Sequence, residues 1–142
     1  MATLALAIAI AAEGFKNTTD KSGEPYILHC LRVMNNLHTR DKELQSIAIL
    51  HDCPEDGVCT IAELIQLGFS QRVISALILL THDKTTPYRD YIKALAHNND
   101  ARLVKIADLR DNSDITRLKG LTKKDFDRME KYHESYIYLS TI

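Results

Sequence analysis

The sequence predicts an all-α fold in a single domain. Apolar residues recur with helical spacing along most of the 142 residues, and few stretches alternate polar and apolar residues. The one Asp-Gly pair, Asp56-Gly57, is not flanked by alternating segments, so no β-hairpin is indicated. No composition shift, low-complexity tract or internal repeat divides the chain, whose length is ordinary for one domain.

The N-terminal part of the chain predicts two helices separated by a polar loop. Residues 2–16 are rich in Ala, Leu and Ile, which favour a buried first helix. Residues 17–25 contain Gly and Pro breakers and predict a loop. A second helix is predicted from about Tyr26 to Leu37, with an apolar side formed by Leu28, Leu31 and Met34.

The next segment predicts a third helix from about Lys42 to Asp52. Pro54 biases the residue before it away from helical dihedral angles, so the helix is expected to end there. Thr60 and Glu63 then have the spacing of a capping box, which predicts the start of a short helix.

The second half of the chain predicts four further helices. The first covers residues 70–80, and Thr86-Pro87 indicates an N-cap and first-turn proline for the next, which extends to about Asn98. Another is expected to start near Asp100, and the last to cover about Lys123 to Leu139. In the helix that starts near Asp100, the apolar residues with helical spacing are Leu103, Val104, Ile106 and Ala107.

Composition excludes several classes of function. A formal net charge of −1 gives no global basic field for nucleic acid. The longest apolar run, residues 4–12, is too short for a membrane span, and it has no basic stretch before it that would indicate a signal peptide. Three cysteines without secretory features indicate reduced thiols. We expect a cytoplasmic protein that binds neither nucleic acid nor membrane, while the oligomeric state stays open.

The segment His51-Asp52-Cys53-Pro54-Glu55-Asp56 holds four ionisable groups within six residues, directly after an apolar stretch. Such groups are costly to desolvate without a partner, and a divalent cation is the simplest one. At a helix end, the adjacent His51 and Asp52 can converge on one ion. Imidazole with carboxylate suits Mn, Fe, Zn or Mg and argues against an all-oxygen calcium site. The alternative is a solvated acidic turn, and spacing alone does not decide between the two.

Two further segments could supply partners for this site. Lys105, Asp108 and Asn112 share one helix face, which would place a cation, an anion and an amide together. The alternative for them is an ordinary surface pair. Lys21 lies in a Gly-containing loop before His29; such a lysine can bind phosphate, although a lone histidine is more often not a ligand.

Together these segments resemble the hydrolase domain of the RelA/SpoT family and its stand-alone small alarmone hydrolases, within the HD superfamily. The similarity spans almost the whole chain. The order and spacing of the matching segments are specific to this family, whereas the His-Asp pair alone is not. The matching segments are Lys21-Ser22-Gly23-Glu24-Pro25-Tyr26-Ile27 with His29, Ala48-Ile49-Leu50-His51-Asp52 with Glu55-Asp56, Leu80-Thr81, Val104-Lys105-Ile106-Ala107-Asp108-Leu109 with Asn112, Arg117-Leu118, and Lys131-Tyr132.

The resemblance implies a bundle of roughly eight to ten helices. It also implies removal of the 3′-pyrophosphate from guanosine tetra- or pentaphosphate, usually with manganese. By position, the expected metal ligands are His29, His51, Asp52 and Asp108. Glu55 and Asp56 match the catalytic acidic pair. Substrate contacts are expected from Lys21, Asn112 and Tyr132, and Lys105 is added because it faces the same way.

Three positions depart from the family pattern. Glu13 stands where a histidine is frequent, and Cys30 replaces the proline that commonly follows the first ligand histidine. Asp20 stands where the family has a basic residue that helps to hold the guanine base. We therefore expect weaker guanine selectivity, with Asp20 able to accept hydrogen bonds from a guanine amino edge.

Two competing interpretations remain open. One is a phosphatase of the same scaffold that acts on another nucleotide, such as a nucleoside monophosphate or NADPH. The other is a nucleotide-binding or partner-binding module without catalysis, against which the intact set of ionisable residues argues. Tyr132 is equally compatible with a core position, and three histidines without motif support are expected at the surface or as caps: His82, His97 and His133.

Overall fold

The computed structural model describes residues 1–142 and contains eight α-helices, one short 3₁₀ helix and no strand. This confirms the all-α prediction and the expected number of helices. The elements are α1 (Leu4–Gly14), α2 (Tyr26–Asn35), α3 (Lys42–Leu50), α4 (Ile61–Gln66), α5 (Gln71–Leu80), α6 (Tyr88–Leu95), α7 (Asn99–Asn112), the 3₁₀ helix (Ile115–Arg117) and α8 (Lys123–Thr141). None of these helices combines the length and hydrophobicity needed to cross a bilayer.

Helix α3 lies at the centre of the bundle. It packs against α1, α2, α5 and α7, and every residue from Ser46 to Leu50 is buried. The Asp41 side chain caps its start by accepting hydrogen bonds from the backbone N–H groups of Glu43 and Leu44. Burying each of the large side chains of this helix contributes about 1.5–3 kcal/mol, so packing against four helices stabilises the position of its C-terminal end.

The C-terminal end of α3 is where the sequence places its ionisable segment. The helix ends at Leu50, His51 is the C-cap, and residues 51–57 form successive turns. Asp52 is therefore just outside the helix, as expected for a segment that contains Pro54. Gly57 has a φ of 77°, which lets the chain reverse direction before Thr60 starts α4 through a complete capping box.

Two helices are oriented differently from the sequence-based expectation. Only one face of α1 is buried, through Ala7 and Ala11, because this helix covers the outside of α3 and leaves its other side to solvent. Helix α2 buries His29, Cys30 and Val33, whereas Leu28 is 38% exposed. The reason is tertiary: α2 packs on both α3 and α7, and this orientation turns His29 towards them.

Two helix starts also differ from the predictions. Thr86 does not cap α6; Pro87 is itself the N-cap residue, and the Thr86 carbonyl lies 2.8 Å from His82 Nε2. Helix α7 begins at Asn99, because the Asn98 side chain accepts a hydrogen bond from the Ala101 N–H group. Of the three histidines without motif support, His82 contacts the loop before α6, and His97 and His133 are exposed.

Candidate active site

Four side chains from three helices converge next to the end of α3. His29 comes from α2, His51 and Asp52 from the end of α3, and Asp108 from α7. One potential ligand atom from each of the four lies within 4.8 Å of the others. His29, His51 and Asp108 are buried and Asp52 is nearly so, which indicates that these charges need a partner inside the protein.

Both imidazole rings are oriented through their Nδ1 atoms. His29 Nδ1 lies 2.6 Å from Asp111 Oδ2, and His51 Nδ1 lies 2.6 Å from the Ala48 carbonyl oxygen. The Nε2 atoms consequently face the cluster, where His29 Nε2 lies 3.1 Å from Asp108 Oδ1 and His51 Nε2 lies 3.1 Å from Asp52 Oδ2. A neutral imidazole that donates from Nδ1 to an acceptor is the usual arrangement of a metal-bound histidine, so this donor set fits a divalent cation.

The two carboxylates also accept hydrogen bonds from residues outside the cluster. Asp52 Oδ2 accepts a hydrogen bond of 2.5 Å from the Tyr26 hydroxyl. Asp108 accepts hydrogen bonds from Lys105 Nζ at 2.9 Å and from Asn112 Nδ2 at 3.0 Å. Lys105, Asp108 and Asn112 therefore lie on one face of α7, as predicted. Lys105 and Asn112 both donate hydrogen bonds to the carboxylate of Asp108.

Close carboxylates control the protonation of the two histidines. Burial disfavours a charged imidazole, but contacts with Asp108, Asp111 and Asp52 outweigh it and raise the pKa of His29 to about 11. For His51, burial is likewise outweighed by Asp52 and Asp108, which raise its pKa to about 10. Without a metal ion, the protonated imidazoles of His29 and His51 therefore offset the negative charge of the carboxylates. A cation that binds here must displace these protons.

Glu55 and Asp56 lie on the turns after this cluster and do not belong to it. The Glu55 carboxylate accepts a hydrogen bond of 2.7 Å from the His82 backbone N–H group, which anchors it to the end of α5. Desolvation, together with the charges of Asp52 and Glu55, raises the pKa of Asp56 to about 6. Both side chains remain exposed to solvent, as a group that handles water must be.

A cavity of about 380 Å³ opens next to His29. Lys21 and Asn112, both predicted to contact substrate, line it. Lys105 and Tyr132 do not: Lys105 is directed to Asp108, and Tyr132 is half-buried with Lys131 Nζ 5.5 Å from its ring centre. The cavity also contains two arginines that the sequence interpretation left without a role, Arg117 and Arg128.

The structure adds Asp111 as a residue that supports the site. Besides His29, this buried carboxylate binds Arg32 Nε at 2.7 Å and Arg117 Nη2 at 3.3 Å. Burial raises the pKa of Asp111, but His29 and Arg32 outweigh it and lower the value to about 2. The spacing of Asp111 three residues after Asp108 was the available sequence signal.

Comparisons with known proteins show what the fold resembles. No family model matches this sequence, and no curated protein matches it. Among solved structures, the chain is similar to one described as "A metazoan ortholog of SpoT hydrolyzes ppGpp and plays a role in starvation responses". The TM-score is 0.78 at 21% sequence identity, and the match covers 96% of this chain and 84% of that chain. The chain therefore has the fold of that metazoan protein.

Proposed function

We propose that this protein is a metal-dependent phosphohydrolase that removes the 3′-pyrophosphate of guanosine tetra- or pentaphosphate. The observation that carries the proposal is the cluster of His29, His51, Asp52 and Asp108, whose potential ligand atoms lie within 4.8 Å of one another. The cavity beside it, which Lys21 lines, and the shared fold with a protein described as hydrolysing ppGpp support the choice of substrate. Such an enzyme is expected to work in the cytoplasm.

The four clustered residues would hold one divalent cation, and we propose Mn²⁺. Two imidazole nitrogens and two carboxylate oxygens form a mixed donor set that suits a transition metal better than calcium. When bound, the cation supplies Lewis-acid chemistry: it makes water more acidic and offsets charge on the attacked phosphate. Asp111 and the Ala48 carbonyl keep both imidazoles turned towards that position.

The residues around the cluster have separate catalytic and substrate-binding roles in this proposal. Glu55 and Asp56 orient the attacking water and accept its proton, and the Asp56 pKa of about 6 suits a base near neutral pH. Lys21 places positive charge in the cavity for the substrate phosphates. Asn112 fixes Asp108 and faces the cavity, where it can hydrogen-bond the ribose or a phosphate. The water oxygen bonds to the phosphorus next to the ribose, the bond between that phosphorus and the ribose 3′ oxygen breaks, the 3′ oxygen takes up a proton, and pyrophosphate is released.

Lys105 and Tyr132 have less direct roles in this proposal. Lys105 neutralises Asp108 and lies beneath the rings of Tyr88 and Tyr91, so it contacts substrate only if Asp108 releases it. Tyr132 is half-buried and lies outside the lining of the cavity next to His29, so a contact with the nucleotide stays a prediction.

A substrate panel tests the function. The manganese-loaded protein is incubated with guanosine and adenosine 3′,5′-bis-diphosphates, nucleoside monophosphates and NADPH, and kcat/KM is compared. We expect the 3′-pyrophosphorylated purine nucleotides to be hydrolysed best, with pyrophosphate as product. A clear preference for a monophosphate or NADPH would assign the protein to the competing phosphatase class. Absence of turnover with metal bound would favour a binding module.

A further inference from the structure

The loop between α5 and α6, residues 81–87, holds the carboxylate of Glu55 through a backbone contact. The N–H group of His82 donates a hydrogen bond of 2.7 Å to Glu55 Oε1. The Glu55 side chain is exposed, and a free glutamate side chain samples many rotamers. The position of the proposed base therefore depends on how firmly this loop fixes the N–H group of residue 82.

The imidazole of His82 ties the start of this loop to its end. Its Nε2 atom lies 2.8 Å from the Thr86 carbonyl oxygen, and because a carbonyl only accepts, the proton lies on Nε2. The Thr86 N–H group in turn donates a hydrogen bond of 2.9 Å to the Asp83 carbonyl oxygen. The side chain of His82 thus stabilises the loop conformation in which its own N–H group points at Glu55.

The ring of His82 also stacks on Tyr91, a buried residue of α6. The two ring centres are 4.6 Å apart, and the ring planes differ by 29°. Tyr91 is itself fixed, since its hydroxyl donates a hydrogen bond of 2.8 Å to the Leu80 carbonyl oxygen at the end of α5. Stacking on a buried and hydrogen-bonded ring restricts the movement of the imidazole.

Tyr91 connects this arrangement with the metal cluster. Lys105 Nζ lies 5.3 Å from the centre of the Tyr91 ring and 2.9 Å from Asp108 Oδ2. One aromatic ring therefore packs against the histidine that holds Glu55 and lies close to the lysine that binds a proposed metal ligand. The positions of Glu55 and Asp108 are linked through this ring.

We propose that His82 is a positioning residue for Glu55, because its imidazole, held by Thr86 and Tyr91, fixes the N–H group that aims the Glu55 carboxylate at the attacking water. This inference rests on the proposed function, in which Glu55 accepts the proton of that water. His82 lies outside the metal cluster and outside the lining of the cavity next to His29. A displacement of about 1 Å in a reacting group can lower the rate by about 10²-fold, so the hold on Glu55 has a catalytic consequence.

Substitutions of His82 test the proposal. His82→Ala removes both side-chain contacts and keeps the N–H group. We expect kcat for guanosine 3′,5′-bis-diphosphate to fall roughly tenfold while KM and manganese content stay at wild-type values, because the contacts with substrate and metal are intact. His82→Gln should recover much of kcat, since its amide can donate to the Thr86 carbonyl. His97→Ala changes an exposed histidine of similar size and is the matched control, with unchanged kcat.

A double-mutant cycle distinguishes positioning from a general loss of structure. Single-turnover rates are compared for His82→Ala, for Glu55→Gln and for the double variant. If His82 acts through Glu55, its substitution should have no further effect once residue 55 cannot take a proton. Two losses that multiply would overturn the proposal. A wild-type kcat in His82→Ala would do so as well, and so would a lower metal content or a raised KM that accounts for the reduced activity.

Amide exchange separates this inference from the proposed function. If the wild type hydrolyses no nucleotide, the proposed function fails, and the hydrogen bond to Glu55 is followed by NMR instead. We expect the protection factor of the residue 82 amide to fall roughly tenfold in Glu55→Ala and in His82→Ala, and to stay unchanged in His97→Ala. Full protection in His82→Ala would show that the loop holds Glu55 without the imidazole and would exclude the positioning role.

Discussion

Asp20 and Arg117 form an ion pair across 97 residues of sequence, with Arg117 Nη1 at 3.2 Å from Asp20 Oδ2. The other carboxylate oxygen of Asp20 accepts hydrogen bonds from the backbone N–H groups of Ser22 and Glu24. Asp20 is thus held by its own loop and by Arg117, and the predicted hydrogen bond to a guanine amino edge would form in addition to these contacts. The pair places the guanidinium of Arg117 beside position 20, where the sequence resemblance leads us to expect a basic residue.

Asp20→Asn should raise KM for the nucleotide while kcat and metal content stay near wild type. The amide keeps part of the loop hydrogen bonding but no longer attracts Arg117, and a partly exposed ion pair contributes about 0.2–1 kcal/mol. The change in KM is therefore expected to be a few-fold. Steady-state kinetics beside metal analysis provides the measurement. Loss of metal from this variant would contradict a role confined to the substrate loop.

Guanine selectivity is a separate property to measure on the side of the cavity where Asp20 and Arg117 lie. The sequence predicts a preference for guanine over adenine that is blunted by a lost stacking contact of about 0.5–2 kcal/mol. If the guanidinium of Arg117 contacts the base, Arg117→Gln should reduce the preference for guanine over adenine. A strong guanine preference that persists in Arg117→Gln would show that another group recognises the base.

His51→Ala should abolish stoichiometric binding of a divalent cation. It removes one imidazole from a cluster whose ligand atoms lie within 4.8 Å of one another. Metal content after dialysis, with Mn²⁺ electron paramagnetic resonance as an independent signal, measures the effect. His97→Ala changes an exposed histidine outside the cluster and is the control. Equal metal content in both variants would refute the ligand assignment.

Glu55→Gln should lose turnover by about 10²–10⁴-fold and still bind metal. The amide can hydrogen-bond water but cannot take its proton, and Glu55 lies outside the four-residue cluster. Turnover is measured together with metal content. Loss of the metal would make Glu55 a ligand, and full activity would place the base elsewhere.

Asp111→Asn should weaken metal affinity by about 10–100-fold, the usual cost of removing the partner of a ligand histidine. At saturating metal most of the activity should return, because Asp111 itself does not reach the cavity. A metal titration of activity separates these two parts. An unchanged metal affinity would mean that His29 is oriented by packing alone.

The metal-free protein should become less stable as the pH rises from about 6.5 to about 10. The pKa values of His29 and His51 are raised from 6.5 to about 11 and about 10 in the folded state, because nearby carboxylates outweigh burial. Below pH 6.5 both states are protonated, and the stabilisation is complete. At higher pH the unfolded chain loses these protons first, so folding is favoured less.

Urea unfolding with a chelator present measures this dependence, and His29→Asn should flatten it. Added cation should reverse the trend, since it competes with the same protons and its affinity rises with pH. Stability that increases with pH in the metal-free protein would contradict the raised pKa values.

Much of the site was determined by local sequence. Pro54 ends the segment after α3, so the adjacent His51 and Asp52 leave the helix where they can share an ion. The helical spacing of Lys105, Asp108 and Asn112 brought these three side chains together on α7. Periodicity of apolar residues was sufficient for the all-α class, because it depends only on near neighbours in the chain.

Other features were decided by the tertiary structure, because they depend on groups far apart in sequence. The buried face of α2 is set by its contacts with α3 and α7, and this rotation directs His29 into the cluster. Asp111 supports His29 from 82 residues away, and Arg117 reaches Asp20 across 97. Sequence spacing carries no information on such pairs. Only the packing of the helices brings their charges close enough to interact.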